Sequence, residues 1–488
     1  MWLSYSVHGN ESSSTEAAME TLFSFANTSN KKTMDWLRRT IVIIDPCINP
    51  DGRDRYVQFY TMTGTHPPDA NVSTREHQEP WPGGRTNHYY FDLNRDWAWQ
   101  TQVETVQRMQ LYNSWMPHIH VDYHEQYFNE PYYFAPAAKP YHLQITSWQR
   151  EFQKIIGKNH SRYFDNSNWL YFTKEHFDLL YPGYGDTYPI YNGAIGMTYE
   201  KAGGAAGGVS AITSDGDTLT LRSRIKQHHT TGLSTVESAY KHKDRIIKEF
   251  KYFFNKGIDN PISKYKTFVI KAGLNDPKRE DLLRWLDTHG IKYGNPMDDR
   301  SRSVRGYSYF SGKYDSFRIQ ENDIIISADQ KKSVLTQVLF EPITHYEDSL
   351  TYDITAWSIP YVYGLEAYAL ETVISQEGFN IHESSKVVHV WDDEPYAYIN
   401  PWKSVYDLKF LSEVLKNNVV VRVSEEPFEI GGIVYDRGTL VITRKGNETK
   451  GQRFDTLLRK ISKKYNTNLR SVTTGLVTKG KDFGSSTM

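Results

Sequence analysis

Near the start of the chain, His8-Gly9-Asn10-Glu11 sets an imidazole and a carboxylate just after an apolar run, Met1 to Val7. The run reads as a short buried strand, so both groups fall where a strand gives way to a loop. A histidine and a carboxylate presented there suit a zinc ion, provided a third ligand arrives from elsewhere and a fourth position is left to water. Pro117-His118-Ile119-His120-Val121-Asp122-Tyr123-His124-Glu125 can supply that ligand. Its period of two puts His118, His120, Asp122 and His124 on one face of a strand. His124 stands at the carboxyl end, level with the other strand ends, whereas His118 and His120 lie deeper or at the far end. The expected ligands are His8, Glu11 and His124, with Asp122 placed to orient one of them. A helical zinc motif beginning at His124-Glu125 fails, because Gln126, Tyr127 and Phe128 follow with no histidine where one is needed.

A second carboxylate ends the run Gly196-Met197-Thr198-Tyr199-Glu200, and glycines follow it. An apolar lead-in and a crowded backbone imply a confined site, in which desolvation holds the Glu200 pKa near the working range of a general base. Arg95, in Asp92-Leu93-Asn94-Arg95-Asp96, and Arg85, in Pro82-Gly83-Gly84-Arg85, are candidate anion-binding groups.

These groups need a scaffold of strands. Ser14 to Phe25 has helical spacing with Ala17, Ala18, Leu22 and Phe25 on one side, and Arg39 to Asp45 reads as a buried parallel strand ending in a turn at Asn49-Pro50-Asp51-Gly52. Strand, helix and strand make a βαβ unit, which places the first two ligands at the carboxyl end of a strand, where open α/β sheets carry their sites. A long loop from Thr61 to Tyr90 follows, then a helix from Thr101 to Trp115, the strand His118 to His124, a Tyr/Pro/Gly loop from Tyr181 to Tyr191, the strand Ala194 to Glu200 and a long helix from Leu219 to Phe254. The fold class expected is α/β, with a mixed, mostly parallel sheet and helices on both faces. A boundary is expected near Gly257 to Pro261, dividing a catalytic domain at 1–257 from an α/β accessory unit at 262–390 and a second at 391–488. The order of elements in these two suggests copies of one unit. Neither shows convergent metal-ligating residues, so a packing or binding module is the expectation for them.

The 488 residues exceed one ordinary core. With 39% hydrophobic, 24% charged and 14% aromatic residues the chain is globular, and 57 Lys and Arg against 58 Asp and Glu give no reason to expect nucleic acid or an acidic membrane as partner. No apolar run is long enough to span a bilayer. The single cysteine, Cys47, forms no internal disulfide and is expected to be a buried, inert thiol. The 35 Tyr and 12 Trp suit an extracellular or periplasmic protein that handles peptides or sugars. Met1 leads directly into a strand without a signal peptide, so the chain itself leaves its location open, and a secreted or periplasmic one is expected only if such a segment lies upstream.

Taken together, His8-x-x-Glu11, Asn49-Pro50-Asp51-Gly52, Asn94-Arg95, His124 and Thr198-Tyr199-Glu200 occur in an order that resembles the zinc carboxypeptidases of the carboxypeptidase A type, over roughly the first half of the chain. The resemblance implies one zinc ion per chain on His8, Glu11 and His124, a substrate carboxylate held by Asn94 and Arg95, and Glu200 as the base for a zinc-activated water that cleaves a peptide bond near a free C-terminus. It also implies an arginine at the oxyanion, with Arg85 ahead of Arg75, and a substrate-contacting tyrosine upstream of the base, Tyr184 or Tyr181. That family's domain carries strands before the first zinc motif, so the natural chain is expected to begin earlier. The part after Pro261 is an addition to the minimal domain. A rival resemblance is to deacylases of the aspartoacylase and succinylglutamate desuccinylase type, which use His-Gly-x-Glu and an Asn-Arg pair to release an acyl group from an amino acid. A catalytically inactive binding homologue is the rival of a different class.

Overall fold

The apolar start of the chain forms strand β1 (Trp2–Tyr5), every residue of it buried. It runs parallel to β2 (Ile43–Asp45) on one side and β3 (Ile119–Gln126) on the other. β3 in turn lies parallel to β6 (Ile195–Ala202) over its whole length, and β4 (Tyr132–Tyr133) and β5 (Tyr171–Phe172) complete a six-stranded sheet in the order β2-β1-β3-β6-β4-β5. Only the β4–β6 pairing is antiparallel. This is the mostly parallel α/β sheet expected. The computed structural model describes residues 1–259, 264–273, 276–297, 303–346, 351, 356–377, 389–451 and 453–486.

Alternation along the buried strands divides the sheet into two faces. Leu3, Tyr5, Val121, Tyr123, Met197 and Tyr199 point into a core closed by α1 (Ser13–Ala26), α5 (Ser147–Asn166) and the long α7 (Leu221–Asp259). A short α2 (Lys31–Leu37) follows α1 and packs Trp36 against α7. The opposite face meets α4 (Val103–Trp115) and the five-residue α6 (Thr187–Tyr191). On α1 the inner face is Ala17, Ala18, Thr21 and Phe25, and Leu22 points outward at 48% exposure. Thr21 takes the inner place because its hydroxyl donates to the Ala17 carbonyl 2.7 Å away and carries no unmet polar group inward. β2 is a half-buried edge strand, not the buried one that its β-branched run suggests. Cys47, just beyond it, is half-buried, with burial pushing its thiol pKa up.

Asn49-Pro50-Asp51-Gly52 is not a turn but the start of α3 (Pro50–Thr63). Proline is well placed in a first helical turn, and the Asn49 side chain caps it by accepting from the Gly52 amide at 2.9 Å, so the residues that signal a turn also start a helix. The loop after α3 is held by polar groups of the helix and of the loop itself. Arg55 donates to the Gly83, Thr86 and Asn87 carbonyls, and the His77 ring lies between the Asp69 and Ala206 carbonyl oxygens. After β6, a hairpin of β7 (Ser210–Ile212) and β8 (Thr218–Thr220) leads into α7.

The boundary expected near Gly257 to Pro261 falls partly outside the described residues. Beyond it come β9 (Thr267–Ile270), α8 (Pro277–His289), β10 (Asn295–Pro296), β11 (Ser303–Ser308), β12 (Tyr314–Arg318), β13 (Ile324–Ser327), α9 (Ser333–Phe340), α10 (Ile359–Tyr363) and β14 (Ala367–Leu370). Five of these strands make an antiparallel sheet, β12-β11-β14-β9-β13. In a further sheet, Ala397–Asn400 lies between Leu440–Thr443 and Arg470–Val472. In both sheets the first strand is followed by a helix and sits between two antiparallel partners that come later in the chain. The five-stranded unit shares a core with the first sheet: Trp2, Trp97, Tyr188 and Tyr191 belong to the same buried cluster as Trp285, Leu286, Leu339 and Phe340. No described helix is long and apolar enough to cross a membrane.

Candidate metal centre and active site

β1, β3 and β6 all end on the same edge, and the groups that sequence singles out are delivered there. The chain leaves β1 through Gly9, which has no room for a side chain, since a Cβ would land on the backbone of Gly52 and Arg53 at the start of α3. Gly52 is equally crowded by the Gly84 carbonyl, and Gly84 by that of Gly52. Glycines of three separate motifs therefore stack backbone against backbone beside the site. That contact brings the Arg85 loop up to His8 and Glu11.

The His8, Glu11 and His124 side chains are all buried, and one ligand atom from each lies within 4.8 Å of the others. His8 Nδ1 is 2.7 Å from Glu11 Oε1, His124 Nδ1 is 3.1 Å from Glu11 Oε2, and the two Nδ1 atoms are 3.2 Å apart. Donors about 2.0–2.1 Å from a tetrahedral zinc ion stand about 3.3 Å from one another, so the two Nδ1 atoms and Glu11 Oε2 beside His124 are spaced as ligands of one ion. The chemistry of the set fits as well: two imidazoles and a carboxylate are zinc ligands, and three of them leave an open position. Glu11 is fixed by the Glu125 amide, which donates to Oε2 at 2.9 Å. Glu125 is itself clamped, because its carboxylate accepts from Ser13 at the start of α1 and from the wholly buried Arg224 of α7 at 3.0 Å.

Of the competing histidines, neither reaches this cluster. His120 lies among Trp97 and Tyr112, where burial pushes its pKa down to about 3, and His118 packs on Phe250 at the opposite end of β3. Asp122, one alternation behind His124, puts Oδ2 2.9 Å from His124 Nε2, outside hydrogen-bond alignment. Sequence reading missed Asp92. Its Oδ1 is 3.0 Å from His8 Nε2, and its Oδ2 accepts from the Arg85 guanidinium at 2.9 and 3.1 Å. A proton on Nε2 shared with Asp92 leaves the His8 Nδ1 lone pair directed at the cluster, as metal ligation requires. An aspartate in a loop has no periodicity to mark it, and the only local signal is that it precedes Asn94-Arg95 and caps their 3-10 turn.

The electrostatics favour a cation at the centre. Burial raises the Glu11 pKa, but the His8 and His124 rings outweigh it and hold the carboxyl well below its usual range. Asp92 is depressed in the same way, burial being overcome by His8, Arg85 and Arg95. Burial lowers the His124 pKa, yet Asp122 and Glu11 reverse this and raise it well above its usual value, so the carboxylates on either side of the ring call for positive charge there. A metal cation answers that demand in place of a proton.

Glu200 is the direct neighbour of His124 in the β3–β6 register. Its Oε2 is buried without a hydrogen-bond partner, and burial raises its pKa above the ordinary carboxylate range, Glu11 and Asp122 adding to the effect while His124 and Arg85 oppose it. A cavity of about 290 Å³ opens over Glu200 and the ligand set. Arg85, Asn94, Arg95 and Tyr184 line it as well, whereas Arg75 and Tyr181 do not. The Asn94 side-chain Oδ1 accepts from the Gly185 amide at 2.8 Å, and the Arg95 guanidinium lies over the Tyr184 ring at 4.7 Å. Tyr181 stands behind this wall, accepting from the Trp99 indole at 2.6 Å and donating to the Arg95 carbonyl.

Asp92→Asn tests the missed residue. The amide keeps the shape but offers His8 no anion, and an outer partner of this kind is worth about 10–100-fold in metal affinity. The zinc dissociation constant, read by competition with a chromogenic chelator, should rise by that factor; an unchanged value would remove Asp92 from the centre.

Residues 1–127 match the profile of the zinc carboxypeptidase family. Among solved structures, the chain is similar to a metallo-carboxypeptidase from Burkholderia cenocepacia, with 14% identity, TM-score 0.34, and coverage of 50% of this chain and 56% of that one. A metallo-carboxypeptidase from Pseudomonas aeruginosa, in complex with (2-guanidinoethylmercapto)succinic acid, gives 12% identity, TM-score 0.36, and coverage of 50% and 57%. Thrombin activatable fibrinolysis inhibitor gives 14%, 0.35, and coverage of 51% and 62%. The chain thus spans a little over half the length of the first two of these. Comparison with curated proteins gives no match.

Proposed function

We propose that the chain is a zinc-dependent metallocarboxypeptidase that hydrolyses a peptide bond near a free C-terminus. The observation that carries the reading is the convergence of His8 Nδ1, Glu11 and His124 Nδ1 at ligand spacing beside the Glu200 carboxylate, whose Oε2 is buried without a hydrogen-bond partner. The family match over residues 1–127, which includes all three ligands, supports a peptidase over a deacylase. Zinc held by His8, Glu11 and His124 supplies Lewis acidity, drawing the pKa of water toward about 7. Glu200 takes the proton from the attacking water and returns it to the leaving amine, a role suited to a carboxyl whose pKa burial has raised. Arg85, anchored by Asp92 and turned into the cavity, faces the charge that develops on the carbonyl oxygen. Asn94 and Arg95 receive the substrate carboxylate, with Arg95 held in place over Tyr184.

Two measurements test this reading. A blocked dipeptide with a free C-terminus should be hydrolysed, and the activity should vanish on chelation and return with one zinc per chain; activity that survives chelation would sink the reading. The same peptide as its C-terminal amide should be a poorer substrate by about 10- to 100-fold in kcat/KM, since a charge-assisted contact to Arg95 is lost. Arg95→Met should abolish most of that discrimination, and equal turnover of acid and amide by the unaltered chain would remove the carboxylate clamp.

A further inference from the structure

The cavity wall opposite the ligand set is the segment from Leu180 to Asn192, and its two sides meet different partners. Toward the cavity it presents the Tyr184 ring, the Gly185 amide that holds Asn94, and Asp186, whose carboxylate accepts from the Thr198 hydroxyl of β6 at 2.9 Å. On its other side it is gripped by the five-stranded unit three times directly and once through His142. Trp357 packs on Tyr181 and joins Leu180 and Tyr184 in one buried cluster. His289, at the end of α8, accepts from the Tyr188 hydroxyl at 2.7 Å while its other nitrogen donates to the Ala98 carbonyl at 3.0 Å; burial pushes its pKa down to about 3. Glu341 takes the His142 ring at 2.8 Å, and that ring stands edge-on to Tyr191. Lys332 reaches across to donate to Asn192 Oδ1 at 2.6 Å.

Burying polar groups such as these is costly unless each meets a partner, so the pairings fix one docking geometry where an apolar contact alone would allow sliding. The 13-residue stretch has only a five-residue helix and ties its two ends together through the Tyr191 hydroxyl, which donates to the Leu180 carbonyl at 2.7 Å, so the outside contacts add to a loop closed on itself and fix where it sits.

We propose that the five-stranded unit serves the active site as a positioning scaffold, with Trp357, His289, Glu341 and Lys332 holding the substrate-binding wall at 180–192 in register with the metal ligands. The inference rests on the carboxypeptidase reading for its effect on turnover and on structure alone for its effect on the wall. It gives the added unit a part in substrate affinity and none in metal binding, because no described residue of the unit reaches His8, Glu11 or His124.

The test uses the full chain carrying Trp357→Ala or, as a second and smaller lesion at the far end of the wall, Lys332→Met. Hydrogen exchange of the amides from 180 to 192 should accelerate about tenfold or more, while those of β1 and β3 keep their protection and zinc stoichiometry stays at that of the unaltered chain. KM for a free C-terminal peptide should rise about tenfold with kcat within about twofold, the pattern of lost ground-state binding. Trp357→Phe, which keeps a ring against Tyr181, should recover most of the affinity. Unchanged exchange in the wall, exchange that rises equally throughout the first sheet, or zinc loss with KM unaltered would each overturn the proposal. Should the unaltered chain cleave no C-terminal peptide bond, the carboxypeptidase reading fails, and the exchange measurement on Lys332→Met still decides whether the unit holds the wall.

Discussion

Glu200→Gln is expected to bind one zinc per chain as the unaltered protein does and to lose hydrolysis by about 10²–10⁴-fold in kcat, the range over which a positioned general base contributes. Glutamine fills the same space and keeps the hydrogen-bonding capacity of one oxygen, so the β3–β6 register and the ligands on β3 should not move. The pH profile separates a base from a structural carboxylate. Burial raises the Glu200 pKa above its ordinary value of 4.5, so the proton-accepting form is lost as pH falls through that raised value. The acid limb of kcat/KM should therefore lie above pH 4.5 in the unaltered chain, and the small residual activity of the glutamine variant should lack it. A variant that turns over within tenfold of the unaltered chain, or that keeps the acid limb, would assign the base elsewhere.

His124→Ala should have the second large effect. Removing it leaves one imidazole and one carboxylate, too few donors for a structural or catalytic zinc site, and it leaves Asp122 buried near no cation on that side. Zinc affinity should fall by about a thousandfold or more, and activity with it. Thermal unfolding offers a readout free of catalysis, since zinc at 100 times its dissociation constant stabilises a binding protein by about 2.7 kcal/mol. The unaltered chain should melt higher when zinc is added and His124→Ala should not. His120→Ala, buried among aromatic rings away from the cluster, should keep the zinc-dependent rise. If His120→Ala lost that rise and His124→Ala kept it, the choice of third ligand would be wrong.

Much of the candidate site was legible in sequence because its groups sit on strands. An apolar run ending in His8, a period-two stretch ending in His124 and a third ending in Glu200 announce a common edge, since parallel strands present their carboxyl ends together. What was not legible came from loops and from docking. Asp92 carries no pattern, although it touches His8, Arg85 and Arg95. Asn49-Pro50-Asp51-Gly52 has the same composition as a turn and as a helix start, and the amphipathic residues after it, Tyr56 and Phe59 among them, decide for the helix. Leu22 and Thr21 exchange faces on α1 because hydropathy outranks a hydroxyl in the sequence, while in the fold that hydroxyl is met by its own helix. The shared core with the five-stranded unit was invisible, as it depends on which faces of two separately patterned units meet.

The backbone stacking of Gly9, Gly52 and Gly84 makes three motifs, spread over some seventy-five residues of sequence, inherit as one. None of the three can drift alone. A side chain acquired at any one of them would wedge apart strand end, helix start and arginine loop together, so among descendants of this chain these positions should be lost or kept as a set, whatever becomes of the loop residues between them.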